Sequence, residues 1–314
     1  MCLGDIGDHP RDFNNYDWKS NILGRSKPVL TVPGNHDVEQ FPTSTDSFKG
    51  FTDETLYEKL YNSELVAHNG ETHPAGKLYW YRDIPHTWDN QTKILRIIGI
   101  YQYEYETEYV AGVPKNNNKY SVYYKQEQVN WLINLLDNTD ENTYVVILGH
   151  TSFGTTYNII PNAFTPKEGV TGFSDYDINM SEPDMFPKIL NAWVNGSTVQ
   201  LTNVMTIDES VITINHTFAT AHPYQFFGFV SGHHHKDCIL KLANLEINQV
   251  FLNCTTSNEV QNDSDLPRRS GKFADCITSI TFDWDTHTMR LIRFGADVTM
   301  YGQERKYDYV KVTQ

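Results

Sequence analysis

Short apolar runs alternate with amphipathic segments along the chain, and this pattern predicts strands and helices in turn. Tyr144–Leu148 is apolar throughout, which is typical of a strand that is buried on both faces. Lys125–Leu136 instead carries one apolar stripe at helical spacing. The residues of this stripe are Val129, Leu132, Ile133 and Leu136. We therefore predict a helix there, with its polar residues, Gln128 among them, facing water.

The same periodicities predict most of the other elements. Helices are expected over Asp53–Tyr61, with Thr52 or Asp53 as the cap, and over Met185–Val194. Strands are expected at Leu78–Arg82, Ile94–Ile100, Phe226–Val230, Ile239–Leu245 and Gln249–Asn253. This alternation of strands and helices indicates an α/β protein.

Two long stretches, Tyr101–Tyr124 and Thr151–Asp184, show little periodicity. Each is predicted to be irregular, either as a wall of a substrate cleft or as a surface insertion. Towards the end of the chain, Ile277–Trp284 and Met289–Phe294 are expected to form a hairpin. Because no repeat or Pro/Ser-rich linker divides the chain, we expect residues 1–314 to form a single domain.

The composition and charge indicate which partners and substrates the chain is suited to. With 39% hydrophobic residues and a formal charge of −14, the chain is typical of a globular protein that repels polyanions. Nucleic acid is therefore a disfavoured partner, whereas a phosphate substrate stays compatible if bound cations invert the local charge. No apolar run is long enough to span a bilayer, so no membrane partner is expected. The first residues lack a signal-peptide pattern, which favours the cytoplasm.

One arrangement recurs four times: an apolar run, then glycine, then a side chain that can bind a metal. It occurs at Gly4-Asp5, Gly34-Asn35-His36-Asp37, Gly149-His150 and Gly232-His233-His234-His235. Strands that end in this way place the following side chains at one edge of a sheet, where several can meet. Taken singly, Gly4-Asp5 and Gly149-His150 favour a turn over a ligand. Gly34-Asn35-His36-Asp37 is more specific, although Asn and Asp also occur in turns and helix caps. Together and in this order, they favour a metal site.

The residue types indicate the metal and its chemistry. Asp, Asn and His supply mixed oxygen and nitrogen ligands, which suit Mn, Fe or Zn. Two such cations about 3.5–4 Å apart can hold both the attacking and the leaving oxygen of a displacement at phosphorus. The sequence therefore predicts two divalent metal ions and hydrolysis of a phosphate ester.

These motifs resemble those of the calcineurin-like metallophosphoesterase superfamily, whose order is D-x-H, G-D-x-x-D, G-N-H-D/E, G-H and G-H-x-H. Motifs two to five match Gly4–Asp8, Gly34–Asp37, Gly149-His150 and Gly232–His235. The resemblance implies a two-layer β-sandwich of mixed sheets flanked by helices. It also implies hydrolysis of a mono- or diester by a metal-bound hydroxide, in a phosphorylated partner or a phosphate-ester small molecule.

The resemblance also implies a role for each matching residue. Asp5 would bridge both metals, and His235 would bind the first. Asn35, His150 and His233 would complete the second site. His36 would stabilise charge on the phosphate or protonate the leaving oxygen, and Asp8 would orient its imidazole.

The first motif is missing from the start of the chain, because three residues precede Gly4. Asp285-Thr286-His287 has the D-x-H spacing, but it lies in the predicted hairpin and is interpreted as a turn. The first metal would keep Asp5 and His235 alone, so we expect it to bind weakly or not at all, while the second is retained. We interpret the chain as truncated at its N-terminus. The alternative is a degenerate relative that serves as a non-catalytic binding or structural module.

Overall fold

A computed structural model describes the following residues: 1–3, 18–38, 51–88, 90–104, 109–110, 113–114, 122–151, 157–159, 182, 184–205, 211–233, 238–242, 248–251, 276–295 and 306–311. Their helices are α1 (Trp18–Leu23), α2 (Asn35–Val38), α3 (Asp53–Leu60), α4 (Ser63–Asn69), α5 (Gln126–Asp137) and α6 (Met185–Asn195). None of these helices combines the length and the hydropathy that crossing a membrane requires.

The strands of the first half are β1 (Trp80–Trp88), β2 (Gln91–Gly99), β3 (Tyr109–Val110), β4 (Val113–Pro114), β5 (Thr143–Leu148) and β6 (Tyr157–Ile159). Those of the second half are β7 (Thr198–Met205), β8 (Val211–Thr217), β9 (Phe226–Ser231), β10 (Cys238–Leu242), β11 (Asn248–Phe251), β12 (Cys276–Asp283), β13 (Thr288–Gly295) and β14 (Lys306–Lys311). The described part of the chain therefore has mixed α/β content, as the sequence predicts.

A seven-stranded mixed sheet organises the fold, with the strand order β1-β2-β5-β9-β11-β10-β6. Its central strands β2, β5, β9 and β11 are parallel, and the outer pairings are antiparallel. All six residues of β5 and of β9 are buried, which explains why both strands are nearly continuous apolar runs. Because parallel strands share a direction, their carboxyl ends lie at the same edge.

The edge strand β1 carries a proline that suits its position. Thr72 pairs with Tyr81 on the outer side of β1 through two backbone hydrogen bonds. Backbone groups alternate in direction along a strand, so Pro85 also faces outward. Proline has no N–H to offer a further strand, and it therefore discourages pairing of this edge with another chain.

The two faces of the large sheet pack against different partners. On β9, Phe226 lies 6.3 Å from Trp193 of α6, measured between ring centroids. The next residue, Phe227, faces the other way and lies 4.9 Å from Phe282 of β12. Strand β12 belongs to a separate three-stranded sheet with the order β12-β13-β14. Helix α6 therefore covers one face of the large sheet, and β12 contacts the other.

Local signals explain where several helices begin and end. The Thr52 side chain accepts a hydrogen bond from the Thr55 N–H at the start of α3, so the prediction of a Thr52 cap is confirmed. Helix α4 starts at an Asn62 cap and ends at Gly70, whose φ of 66° requires the left-handed region. The start of α5 is fixed differently, because Glu104 accepts the N–H of its cap residue Lys125.

Most of the predicted elements are confirmed, and one burial prediction is wrong. The apolar stripe of α5 is buried as expected. Gln128, which we predicted to face water, is fully buried as well. Its amide satisfies both backbone groups of Tyr101, accepting the N–H at 2.9 Å and donating to the carbonyl at 2.8 Å. The turn interpretation of Asp285-Thr286-His287 is confirmed, because these residues connect β12 and β13.

Candidate metal centre

Two predicted ligands follow the carboxyl ends of neighbouring parallel strands. Strand β5 runs into Gly149-His150, and β9 runs into Gly232-His233. The register pairs Leu148 with Val230, so both strands stop at the same level. The Gly149 N–H donates to the Val230 carbonyl, and the Gly232 N–H donates to the His150 carbonyl. The backbone therefore continues to pair just beyond the strands and brings the two histidines to one edge.

His150 is buried, and its imidazole has one defined orientation. Nδ1 lies 2.6 Å from the carbonyl oxygen of Leu3. A carbonyl oxygen only accepts hydrogen bonds, so Nδ1 must carry a proton. In the neutral imidazole, the proton on Nδ1 makes Nε2 the nitrogen that presents its lone pair. Leu3 thus selects the tautomer in which Nε2 can bind a metal, a typical arrangement for histidine ligands.

Asn35 begins the short helix α2, directly after an extended segment that is firmly anchored. Tyr61 Oη and Trp80 Nε1 both donate to the carbonyl of Thr31 at 2.8 Å. Burial raises the pKa of the Tyr61 phenol well above its ordinary value, so this donor keeps its proton. On the other side, Cys2 pairs with Thr31 in parallel. These contacts fix the chain just before Asn35.

Asp37 closes the turn that presents Asn35. Its Oδ2 accepts the Gly34 N–H at 2.7 Å, and its own N–H donates back to the Gly34 carbonyl at 3.2 Å. The Asp37 carboxylate thus makes one half of a capping box, in which the third helical residue accepts the N–H of the cap residue. Every residue from Thr31 to Val38 is buried except His36, which is partly exposed. The turn therefore holds Asn35 inside and gives His36 access to solvent.

His233 takes a backbone conformation that is unusual for a residue with a side chain. Its φ is 62°, in the left-handed region. Gly232, just before it, packs closely on residue 3: a Cβ there would lie 3.2 Å from the Leu3 carbonyl oxygen. Leu3 thus contacts both sides of this edge, through His150 and through Gly232. The strained turn directs the His233 ring towards that of His150, with 5.0 Å between ring centroids.

Three side-chain atoms converge at this point. Asn35 Oδ1 lies 2.8 Å from His150 Nε2 and 3.1 Å from His233 Nδ1. The two ring nitrogens are 3.2 Å apart. A metal with bonds of about 2.0–2.2 Å has neighbouring ligand atoms about 2.8–3.6 Å apart in octahedral or tetrahedral geometry. All three distances fall in this interval, so the residues fit one face of a metal's coordination shell.

The charge state of the three atoms makes a cation favourable. His150 Nε2 and Asn35 Oδ1 each present a lone pair, since the His150 proton lies on Nδ1. His233 Nδ1 can carry one proton, which satisfies a single contact of the three. At least one contact therefore brings two lone pairs together, which costs free energy in a buried site. A divalent cation removes this cost because all three atoms can donate to it.

The remaining predicted site residues are Asp5, Asp8 and His235, and they lie outside the described residues. Within the described ranges, no three His, Cys, Asp or Glu side chains form a metal-binding group. The cluster found here combines two histidines with the amide of Asn35, which is not an ionisable residue. Metal binding by these residues stays a prediction.

The sequence analysis missed Gln102, a fully buried residue beyond the end of β2. Its Oε1 accepts the N–H of His150 at 2.6 Å and the N–H of Thr151 at 2.9 Å. The role of the Leu3 carbonyl was missed as well. Gln102 lies in the Tyr-rich stretch after a predicted strand, where a polar residue carries no distinctive signal. Only the position of β2 beside β5 reveals its contact with His150.

Gly149 has to be glycine because two side chains press against it. A Cβ at this position would lie 2.6 Å from Phe229 Cζ and 2.7 Å from Gln102 Oε1.

We expect Gly149→Ala to lower the free energy of unfolding by about 1–3 kcal/mol, the usual cost of overpacking. Chemical denaturation followed by circular dichroism measures this change. Gly76→Ala is the control. Gly76 lies at an exposed turn and no atom is near the added methyl group, so any loss of stability there comes from the backbone conformation alone. A smaller loss at Gly149 than at Gly76 would contradict the steric explanation.

No protein-family model matches the chain, and no curated protein matches it.

Proposed function

We propose that this chain is a metal-dependent phosphoesterase that hydrolyses a phosphate mono- or diester. The observation that carries the proposal is the convergence of Asn35 Oδ1, His150 Nε2 and His233 Nδ1 within 3.2 Å of one another. These residues are 115 and 83 positions apart along the chain. A purely structural polar cluster would not require three lone-pair donors to point at one position.

The three residues would hold the second metal of the pair, with Asp5 as the fourth ligand and the bridge to the first. The first metal would depend on Asp5 and His235. When bound, the cations supply positive charge that offsets the negative charge gained by the phosphate during hydrolysis. The expected metals are Mn, Fe or Zn, because the ligands are nitrogen and oxygen atoms.

His36 would act on the substrate rather than on the metal. It directly follows Asn35 and is the partly exposed residue of its turn. An imidazole is the side chain best suited to donate a proton near neutral pH, here to the leaving oxygen. Asp8 would orient that ring. Because the chain carries a formal charge of −14, a small phosphate ester or a phosphorylated partner suits it better than a polyanion.

The proposal extends to the fold, as a two-layer β-sandwich flanked by helices. It is supported by the aromatic contacts between the sheets, where Tyr144 of β5 lies 4.8 Å from Trp284 and Phe227 lies 4.9 Å from Phe282. It is supported further by α6 on the opposite face of the large sheet. We propose that this unit spans residues 1–314 as one domain.

Hydrolysis of an aryl phosphate monoester and an aryl phosphate diester tests the function. The assay uses excess Mn²⁺ or Zn²⁺, so that a weakly bound first metal is also present. We expect His36→Ala to lower kcat by about 10²–10⁴-fold, the usual contribution of a general acid. Its affinity for metal, measured by titration calorimetry, should stay unchanged. His86→Ala, an exposed histidine of β1, is the matched control and should keep full activity.

Two results would contradict the proposal in different ways. If the protein binds metal but neither substrate shows turnover that depends on His36, the chain is a metal-binding module without catalysis. If neither metal binds at millimolar concentration, the centre itself is wrongly assigned.

A further inference from the structure

We propose that Gln102 is a positioning residue that sets the metal affinity of the candidate centre by fixing the backbone at His150. This inference rests on the proposed function, because it concerns the same centre. Gln102 does not approach the converging ligand atoms through any contact described above. It acts through the main chain of His150 and Thr151.

The Gln102 side chain supplies the hydrogen-bond acceptor that a neighbouring strand would otherwise provide for the backbone beyond β5. Beyond β5, the Gly149 N–H reaches the Val230 carbonyl, so the sheet pairing still serves that residue. The next two N–H groups, those of His150 and Thr151, both converge on Gln102 Oε1 at 2.6 and 2.9 Å. Buried N–H groups need an acceptor, and a single oxygen here satisfies two of them.

Gln102 is itself held in one orientation. Its Nε2 donates to Tyr124 Oη at 3.1 Å and to the Thr151 carbonyl at 3.4 Å. The two N–H groups that contact one atom of the amide identify it as the oxygen, and the Thr151 carbonyl, which can only accept, identifies the other atom as the nitrogen. Tyr124 packs against Phe186 of α6, with ring centroids 4.2 Å apart. Through Tyr124, the Gln102 amide is therefore held against α6, and rotating the amide would break its hydrogen bonds.

The hydrogen bonds from Gln102 act as a clamp on the backbone at His150, and they are one of three attachments that fix this residue. Its N–H is held by Gln102, its carbonyl accepts the Gly232 N–H, and its Nδ1 donates to the Leu3 carbonyl. Together they define where Nε2 lies relative to Asn35 and His233. Metal affinity depends on this position, since ligand bonds tolerate shifts of only about 0.2 Å. Removing the Gln102 contact releases the His150 N–H and leaves the contacts of the His150 carbonyl and of its ring in place.

The alternative is that Gln102 only stabilises the fold. A structural role would lower stability with and without metal to the same extent and leave the dissociation constant of the metal unchanged. A positioning role would weaken metal binding beyond any change in stability of the metal-free protein. The two roles are therefore separated by measuring both quantities on the same variants.

Three variants of the full chain make the test. Gln102→Met keeps the length of the side chain and removes the acceptor. Gln102→Glu keeps an acceptor oxygen for the His150 and Thr151 N–H groups and loses the donor to the Thr151 carbonyl. Gln225→Met is the matched control. Gln225 is a buried glutamine whose Nε2 donates to the Thr143 carbonyl at 3.0 Å, at the opposite end of β5 from His150.

Titration calorimetry with Zn²⁺ or Mn²⁺ gives the affinity, and thermal unfolding of the metal-free protein gives the stability. We expect Gln102→Met to weaken metal binding about 10–100-fold, the usual effect of removing an outer partner of a metal ligand. Gln102→Glu should recover most of the affinity. Gln225→Met should lower the melting temperature and bind metal as the wild type does.

The proposal is overturned if wild type and Gln102→Met bind metal equally, or if Gln225→Met weakens binding as much as Gln102→Met. If Gln102→Met does not fold, Gln102→Glu decides: wild-type affinity supports the clamp, and a loss like that expected for Gln102→Met overturns it. If the wild-type protein binds no metal, both this inference and the proposed function fall. Equal binding in a wild type that does bind metal removes this inference alone.

Discussion

Replacing His150 by alanine is expected to weaken metal binding at the candidate centre at least about 100-fold. The substitution removes Nε2, which lies 2.8 Å from Asn35 Oδ1 and 3.2 Å from His233 Nδ1. Among the described residues, two of the three converging donors would remain. Because His150 would bind the metal directly, its loss is expected to weaken binding at least about 100-fold, the upper end of the usual effect of losing an outer partner of a ligand.

The effect is measurable without any substrate. A ligand that binds only the folded state stabilises it by about 2.7 kcal/mol when its concentration is 100 times the dissociation constant. At that Zn²⁺ concentration, the wild-type protein should therefore gain about 2.7 kcal/mol in free energy of unfolding. His150→Ala should gain almost nothing. Thermal unfolding with and without Zn²⁺ measures both values on the same samples.

A second buried histidine provides the matched control. His222 is as enclosed as His150, and its ring stacks on Trp193 with centroids 4.9 Å apart. Its loss should cost the metal-free protein stability of a similar order, because both substitutions remove a buried imidazole. His222→Ala should nevertheless keep the full gain from Zn²⁺. Equal gains in His150→Ala and in the wild type would show that the three atoms do not form a metal site.

The sequence predicted the scaffold well because the scaffold depends on local patterns. Strand β5 and helix α5 were recognisable from continuous and periodic apolar positions. The site also has a local signal in the sequence, because a Gly-His pair directly follows both β5 and β9. The common edge then follows from the parallel direction of the strands. The β7–β8 ribbon was not predicted, although the alternating burial of β8 is the pattern of a half-buried strand.

The contacts that orient the site were not predictable, because they join residues far apart in sequence. The Leu3 carbonyl lies 147 positions from the ring that it orients, and Gln102 lies 48 positions from the N–H that it accepts. The error at Gln128 has the same origin. A glutamine at a polar position of α5 indicates solvent exposure unless one knows that the N–H and carbonyl of Tyr101 lie beside it. Sequence patterns report the polarity of a residue, whereas its partner depends on the tertiary fold.

The stability of this protein is expected to fall as the pH rises from about 4.5 to about 8, because of one buried carboxyl group. Glu104 lies beside the site-bearing edge, and burial raises its pKa from 4.5 to about 8. Two hydrogen bonds to Oε2, from the Lys125 N–H and from Gln128 Nε2, each of 2.7 Å, favour the ionised form and partly oppose this shift. Burial dominates, so the folded protein keeps Glu104 protonated at neutral pH.

The sign follows from proton binding in the two states. In the unfolded chain Glu104 loses its proton near its ordinary pKa of 4.5, and in the folded protein near about 8. Between these values the folded state holds one proton more, so rising pH favours unfolding by about 1.4 kcal/mol per pH unit. Below about pH 4.5 the contribution is fully present, and above about pH 8 it is lost. The total over this interval is on the order of 5 kcal/mol.

Glu104→Gln removes the titration and keeps the geometry. The amide oxygen of glutamine can accept from Lys125 and Gln128 as Oε2 does, and it carries no charge at any pH. We expect the variant and the wild type to have similar free energies of unfolding near pH 4.5. The variant should become progressively more stable than the wild type up to about pH 8, with a constant difference beyond it. Urea unfolding at a series of pH values measures this difference.

The comparison isolates Glu104 from the other groups that titrate in the same range. Glu71 is also buried with a raised pKa, but it is present in both proteins and cancels in the difference. Glu127→Gln is the control for loss of a negative charge, since Glu127 lies on α5 with its side chain 62% exposed. That variant should follow the wild type across the series. A stability difference between Glu104→Gln and the wild type that does not change with pH would show that Glu104 is already ionised in the folded protein, with its two hydrogen bonds outweighing burial.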